Sequence, residues 1–147
     1  MKSVIQRLKM IKVKIKYKDM LARGLFADEF IPKDNIILIL KGNHFPEPTR
    51  TSIQIEDGKH LEHYEGAFMN HHCDPNTEIK VHEYFVGSDV LSQCSSNPTV
   101  VAVAKKDILE GEEITFDYET TEFDLAEPFR CDCHGRWIRG KVYRYQE

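Results

Sequence analysis

Two short segments carry residue types that can act together. Asn70-His71-His72-Cys73-Asp74-Pro75-Asn76 packs an Asn-His pair, a thiol and a Pro-bearing turn into seven residues. Gly111-Glu112-Glu113-Ile114-Thr115-Phe116-Asp117-Tyr118, about forty residues on, is a Gly-Glu turn running into a strand that ends on a tyrosine. By strand alternation Phe116 and Tyr118 face one side, and Thr115 and Asp117 face the other. Taken alone, two aromatics at that spacing read as core, and Asn70 as part of an Asx-type turn ahead of Pro75. The thiols add a second chemistry. Four cysteines in a chain with no secretory signal point to free thiols or metal before disulfides. Cys131 and Cys133 stand too close in sequence to bridge each other well.

The elements that must position these groups are mostly strands. Ile11–Tyr17, Ile36–Leu40, Ser52–Ile55, Ile79–Val86, Thr99–Ala104 and Ile114–Tyr118 are rich in β-branched or aromatic residues. Helix signals are few, with two turns expected over Val4–Met10 and a short helix over Leu61–Phe68. A faint echo links Ile31-Pro32-Lys33-Asp34-Asn35-Ile36-Ile37 to Ile108-Leu109-Glu110-Gly111-Glu112-Glu113-Ile114, and it reads as a reused turn rather than a true repeat. With 147 residues, 41% hydrophobic and 30% charged, the chain is expected to form one globular domain over 1–147. Its five-residue apolar runs cannot span a bilayer, so no membrane is expected and a cytoplasmic location is. The net charge of −4 argues against broad nucleic-acid binding. Residues 1–24, however, hold eight basic side chains against Asp19 alone. The alternation in Ile11–Lys18 makes those lysines one solvated strand face, and a polyanion patch there is the sharper alternative.

In this order the two segments resemble the signature motifs of SET-domain protein lysine methyltransferases. The resemblance runs from about Leu21 to Gly140. Phe68 stands at the family's aromatic position before Asn70, while Ala67 replaces a common Arg and His72 a common Ser. Ala22-Arg23-Gly24-Leu25-Phe26-Ala27 resembles the Gly-bearing turn that lies along the cofactor, with Ala22 in place of its first glycine. The tail from Phe129 to Gly140 resembles a post-SET segment, in which three cysteines join the cysteine of the Asn-His motif around zinc. Here Cys73, Cys131 and Cys133 match three ligands and Ile138 stands where the fourth belongs. Closed structural zinc sites need four ligands, so zinc is conceivable but the expectation is an empty site, with Trp137 and Ile138 fastening the tail by apolar packing.

The resemblance implies a mainly β fold of several short sheets, with a knot-like threaded C-terminal segment, a core over about 21–118 and a post-SET-like tail over 119–147. It implies S-adenosylmethionine as cofactor and the side-chain amine of lysine in protein as acceptor. Such a reaction needs collinear reactants, an apolar channel that strips a proton from an amine of pKa about 10.4, and a hydroxyl to orient it. Tyr118 would be the catalytic hydroxyl, with Phe116 and Phe68 as channel walls. Arg23, Gly24, Leu25, Asn70, His71, Tyr118 and Trp137 would contact the cofactor. Phe rather than Tyr at 116 implies capacity for di- or trimethylation. The acidic loop of Glu119, Glu122, Asp124 and Glu127 would favour basic, histone-like partners if it rims the groove. The alternatives are an interaction module that keeps the fold without turnover, and a small zinc adaptor.

Overall fold

The computed structural model describes residues 10–82 and 98–143. Among the described residues, twelve short strands fall into five small sheets. The first is a hairpin of β1 (Val13–Tyr17) and β2 (Arg23–Ala27), with Val13 opposite Ala27 and Tyr17 opposite Arg23. Its alternation is the one expected. Val13 and Ile15 pack on the core, while the lysines face outward onto partners. Lys14 pairs with Asp28 at 3.2 Å, Lys16 lies over the Phe26 ring at 4.4 Å, and Lys18 reaches Glu113 at 3.0 Å.

The second sheet runs β3 (Ile36–Leu40), β9 (Thr99–Ala104), β8 (Thr77–His82), all antiparallel neighbours. β9 is its middle strand, and Val100 to Ala104 are all buried, which is why that stretch reads as an unbroken apolar run. The third sheet runs β4 (Asn43–Phe45), β6 (Lys59–Glu62), β5 (Ile53–Glu56). The fourth pairs β7 (Asn70–His71) with β10 (Thr115–Phe116) in parallel, and the fifth pairs β11 (Phe129–Arg130) with β12 (Trp137–Ile138). One core joins them, built on Leu25, Ile31, Leu61, Met69, Ile108 and Ile114.

The two echoing segments meet each other. Ile31 and Ile108 exchange both backbone hydrogen bonds at 2.8 Å and are fully buried. Asp34 and Gly111, at matching places in the two turns, both take positive φ, 73° and 91°. That backbone requirement explains the shared pattern.

Three expectations need adjusting. Leu61–Phe68 is not a helix: Leu61 and Glu62 complete β6, and only Gly66–Phe68 forms a 3₁₀ turn. The ladder claims the first residues before a helix can nucleate. Ile114–Tyr118 is laddered only at Thr115 and Phe116. Asp117 then caps a 3₁₀ turn over Tyr118–Thr120, its Oδ1 accepting the Glu119 amide at 3.0 Å. The Ile79–Val86 strand begins earlier, at Thr77, and residues 83–86 lie outside the described residues, as do Val4–Lys9 and Cys94. No helix among the described residues is long and apolar enough to cross a membrane.

Candidate active site

The parallel β7–β10 pair is where the two signature segments meet. Asn70 lies opposite Thr115 and His71 opposite Phe116. Asn76 staples the pairing: its amide donates to the Glu113 carbonyl at 2.8 Å, and its Oδ1 accepts from the Thr115 amide at 3.1 Å. The His72 amide donates to the Phe116 carbonyl at 3.1 Å, and the Tyr118 amide donates to His71 Nδ1 at the same distance. Two turns distant in sequence thus become one surface.

A cleft of about 880 Å³ opens beside them, within the roughly 300–1,000 Å³ of small-molecule sites. Tyr118, Phe116, Phe68, Asn70, His71, Arg23 and Cys131 all line it. The Tyr118 hydroxyl donates to the Met69 carbonyl at 2.6 Å. Its ring is held by Phe116, His71 and Phe129, with centroids 4.9, 5.4 and 5.9 Å away. Burial, then the charge of Glu122, push its phenol well above the ordinary range, so the hydroxyl keeps its proton.

At the other end a polar cradle forms. Asn70 Nδ2 donates to the Arg23 carbonyl at 2.9 Å and to Glu113 Oε2 at 2.7 Å. The Arg23 guanidinium sits over Phe68 at 4.9 Å. A Cβ at Gly24 would fall 2.5 Å from Glu113 Oε2 and push that carboxylate aside. Gly24, Leu25 and Trp137 are not brought to the cleft lining. Leu25 is fully buried in the core, and Trp137 is half-exposed on β12. Ile138 beside it is fully buried, so it, rather than the indole, packs the tail inward.

The three thiols converge with a group that the sequence reading assigned elsewhere. His71 Nε2 and the sulfurs of Cys73, Cys131 and Cys133 lie within 4.8 Å of one another, with Cys73 Sγ to Cys131 Sγ at 3.7 Å. The His71-x-Cys73 spacing was the available signal. Donor chemistry limits what the set can hold. Because His71 Nδ1 accepts the Tyr118 amide, the ring proton sits on Nε2 and points at Cys73 Sγ, 3.2 Å away. Nε2 therefore acts as a hydrogen-bond donor to sulfur, and a closed four-ligand zinc site does not fit this tautomer. His134 is not in the set; it stacks edge-on against His72. Burial pushes the Cys73 thiol up to about 11. Burial alone would also raise Cys131, but backbone N–H groups of His134 and Arg136 outweigh it and draw that thiol down to about 7.

Glu119 and Glu122 of the acidic loop are both buried. Glu119 locks the tail: it receives Arg136 Nη2 at 2.8 Å and the Arg139 and Gly140 amides at 3.1 Å. Glu127 does border the cleft and is exposed.

The SET domain family model matches residues 22–119. The chain belongs to the SET domain family. This SET domain is 28% identical over 103 residues to the methyltransferase flvH of Aspergillus flavus, covering 69% of the chain and 50% of that protein. It is 27% identical over 159 residues to an H3 lysine-36 specific histone-lysine N-methyltransferase of Schizosaccharomyces pombe, covering 93% of the chain and 19% of that protein. The chain thus spans half or less of these two relatives. A Plasmodium falciparum protein described as a candidate histone methyltransferase shares the fold, with a TM-score of 0.58, 23% identity, and coverage of 75% of this chain and 95% of that one.

Proposed function

We propose that the chain, as a single domain, transfers methyl groups from S-adenosylmethionine to lysine side chains of basic, histone-like proteins, and can add more than one. The observation that carries this reading is Tyr118, a protonated hydroxyl anchored on the Met69 carbonyl inside an aromatic-walled cleft that also contains the Asn70 cradle. The cofactor, when bound, supplies an electrophilic methyl group. Asn70 and Arg23 line the cleft, Gly24 packs behind them against the Glu113 carboxylate, and the cleft has the volume for such a molecule.

The remaining work falls to the chain. Phe116, Phe68 and Phe129 exclude water and make the channel apolar, which favours a neutral amine over an ammonium. The Tyr118 oxygen keeps lone-pair capacity while its proton is engaged by Met69, so it can orient the amine and meet developing positive charge. Phe116 presents no hydroxyl to the channel, leaving room for methyl groups already added. No step uses the Cys73–Cys131–Cys133 cluster.

The test is transfer of labelled methyl from S-adenosylmethionine into a pool of histones and other basic proteins, with Tyr118→Phe in parallel. Label on lysine in the wild type that falls at least a hundredfold in the variant, with cofactor affinity kept, is the expected result. Label that persists in Tyr118→Phe would remove the assigned role. An inert wild type that still binds cofactor would favour a module without turnover.

A further inference from the structure

Glu122 is a carboxylate in an unusual place. It stands one turn after Tyr118, its amide donating to the Tyr118 carbonyl at 2.9 Å, and it lines the same cleft. It is only 6% exposed. One of its oxygens is fully used: Oε2 accepts the Gln54 amide at 2.6 Å and the Thr121 hydroxyl at 2.8 Å. Those bonds satisfy an edge-strand N–H of β5 and tie that strand to the turn, with the Phe123 amide closing the loop on Gln54 Oε1 at 2.7 Å. A neutral amide oxygen would perform that service equally well. The negative charge is therefore left to explain, because a buried ion without a partner costs several kcal/mol.

No Lys or Arg among the described residues forms an ion pair with Glu122, and the Lys141 charge, which favours its ionised form, acts on it only from beyond ion-pair distance. Oε1 receives no hydrogen bond from a described residue, yet it is not sealed off, since His60 Nδ1 alone among described side-chain atoms is both buried and unpartnered. With Ser52, Ile53 and Tyr118 beside it on the cleft wall, the residual opening of Glu122 is into the cleft. Burial raises its carboxyl above the ordinary 4.5. The polar cradle of Asn70, Gly24 and Glu113 is built on β2, β7 and the turn before β10, whereas Glu122 is anchored on β5.

The geometry points to Glu122 as the specificity residue that reads the positive charge of the incoming substrate amine, its Oε1 accepting an ammonium N–H beside the Tyr118 hydroxyl. This inference rests on the methyl-acceptor reading of the cleft and names what that cleft selects. A charge-assisted hydrogen bond of this kind discriminates an ammonium from a neutral group of the same shape. The ion pair alone would stabilise the ammonium, so the carboxylate must also take up the proton that methylation requires to leave. A carboxylate whose ionisation burial disfavours is a ready proton acceptor: the N–H bond breaks as an O–H bond forms on Glu122, leaving a neutral amine.

The experiment uses small probes and no turnover. The wild type and Glu122→Gln are titrated with n-butylammonium, which matches a lysine side chain, and with neutral 1-butanol, following backbone amides by NMR. The wild type should prefer the cation at least tenfold, with shifts centred on Gln54, Tyr118, Thr121, Glu122 and Phe123. In Glu122→Gln the preference should shrink to within twofold, while S-adenosylmethionine affinity stays unchanged. A wild type with no preference, shifts centred elsewhere, or a variant that keeps the preference would overturn the inference. The wild-type titration decides alone if the variant does not fold. Because no methyl transfer is read, failure here is separable from failure of the labelling assay.

Discussion

On the proposed reading, individual side chains would set both the product and the cofactor grip of this site. Phe116 is 3% exposed and lies 4.9 Å, centroid to centroid, from Tyr118. Phe116→Tyr adds one hydroxyl to a closed wall, and the expected outcome is a shift from di- and trimethyllysine toward monomethyllysine by mass spectrometry of the product. An unchanged distribution would detach Phe116 from product control. Gly24 makes a complementary prediction. A Cβ would meet Glu113 Oε2 at 2.5 Å and Asn70 Nδ2 at 3.1 Å, and the carboxylate must then swing away from Asn70 and Lys18. Gly24→Ala should weaken S-adenosylmethionine binding about tenfold, near 1.4 kcal/mol, in isothermal titration, while costing under about 1.5 kcal/mol of stability.

Legibility at this scale was uneven, for physical reasons. Phe116, Tyr118, Asn70 and His71 were singled out through the family resemblance, since strand alternation and a turn alone read as core and an Asx-type turn. Glu119 and Glu122 were not. Their burial depends on amides of residues 139–140 and 54, and no local pattern announces such partners. His71 joined the thiols for the same reason: its ring orientation follows from the Tyr118 amide, forty-seven positions away.

Among the elements, the 3₁₀ turn at Tyr118–Thr120 is the hinge between the cleft and the tail. Its buried Glu119 carries three tail contacts. Burial alone would raise its carboxyl, but hydrogen bonds from Arg136, Gly140 and Arg139 outweigh that and hold it below the ordinary 4.5. A depressed folded pKa means the lock contributes fully above the unfolded value and is lost as pH falls through the folded one. Tail release should therefore accompany acidification to below the ordinary carboxylate range. Glu119→Ala should cost about 2–4 kcal/mol, seen as a lower melting temperature, and should expose Ile138 to protease at neutral pH. Strand positions such as β3 and β9 were legible to the residue because apolar runs mark them. The supposed helix over Leu61–Phe68 misled because its apolar spacing suits a half-buried strand end equally well.

For the molecule as a whole, the thiol cluster predicts its own composition. Three sulfurs and a protonated imidazole nitrogen fall one ligand short of a closed tetrahedron. Purified protein should carry well under one zinc per chain by elemental analysis, and chelator should leave methyl transfer intact. A stoichiometric metal would show that His71 gives up its bond to the Tyr118 amide. The mainly β architecture was legible from composition and alternation. Several short sheets were expected, but which strands pair was not, since pairings across such sequence distances leave no local trace.

That distance has a consequence in time. The β7–β10 pairing joins positions 70 and 115, and the lock on Glu119 waits for Gly140. Loop closure must be met before any of these contacts repays it, so the cleft has no local precursor on the growing chain. A ribosome that has made the first hundred residues holds strands but no cleft, and cofactor-binding competence should appear in one late step, after the tail has emerged.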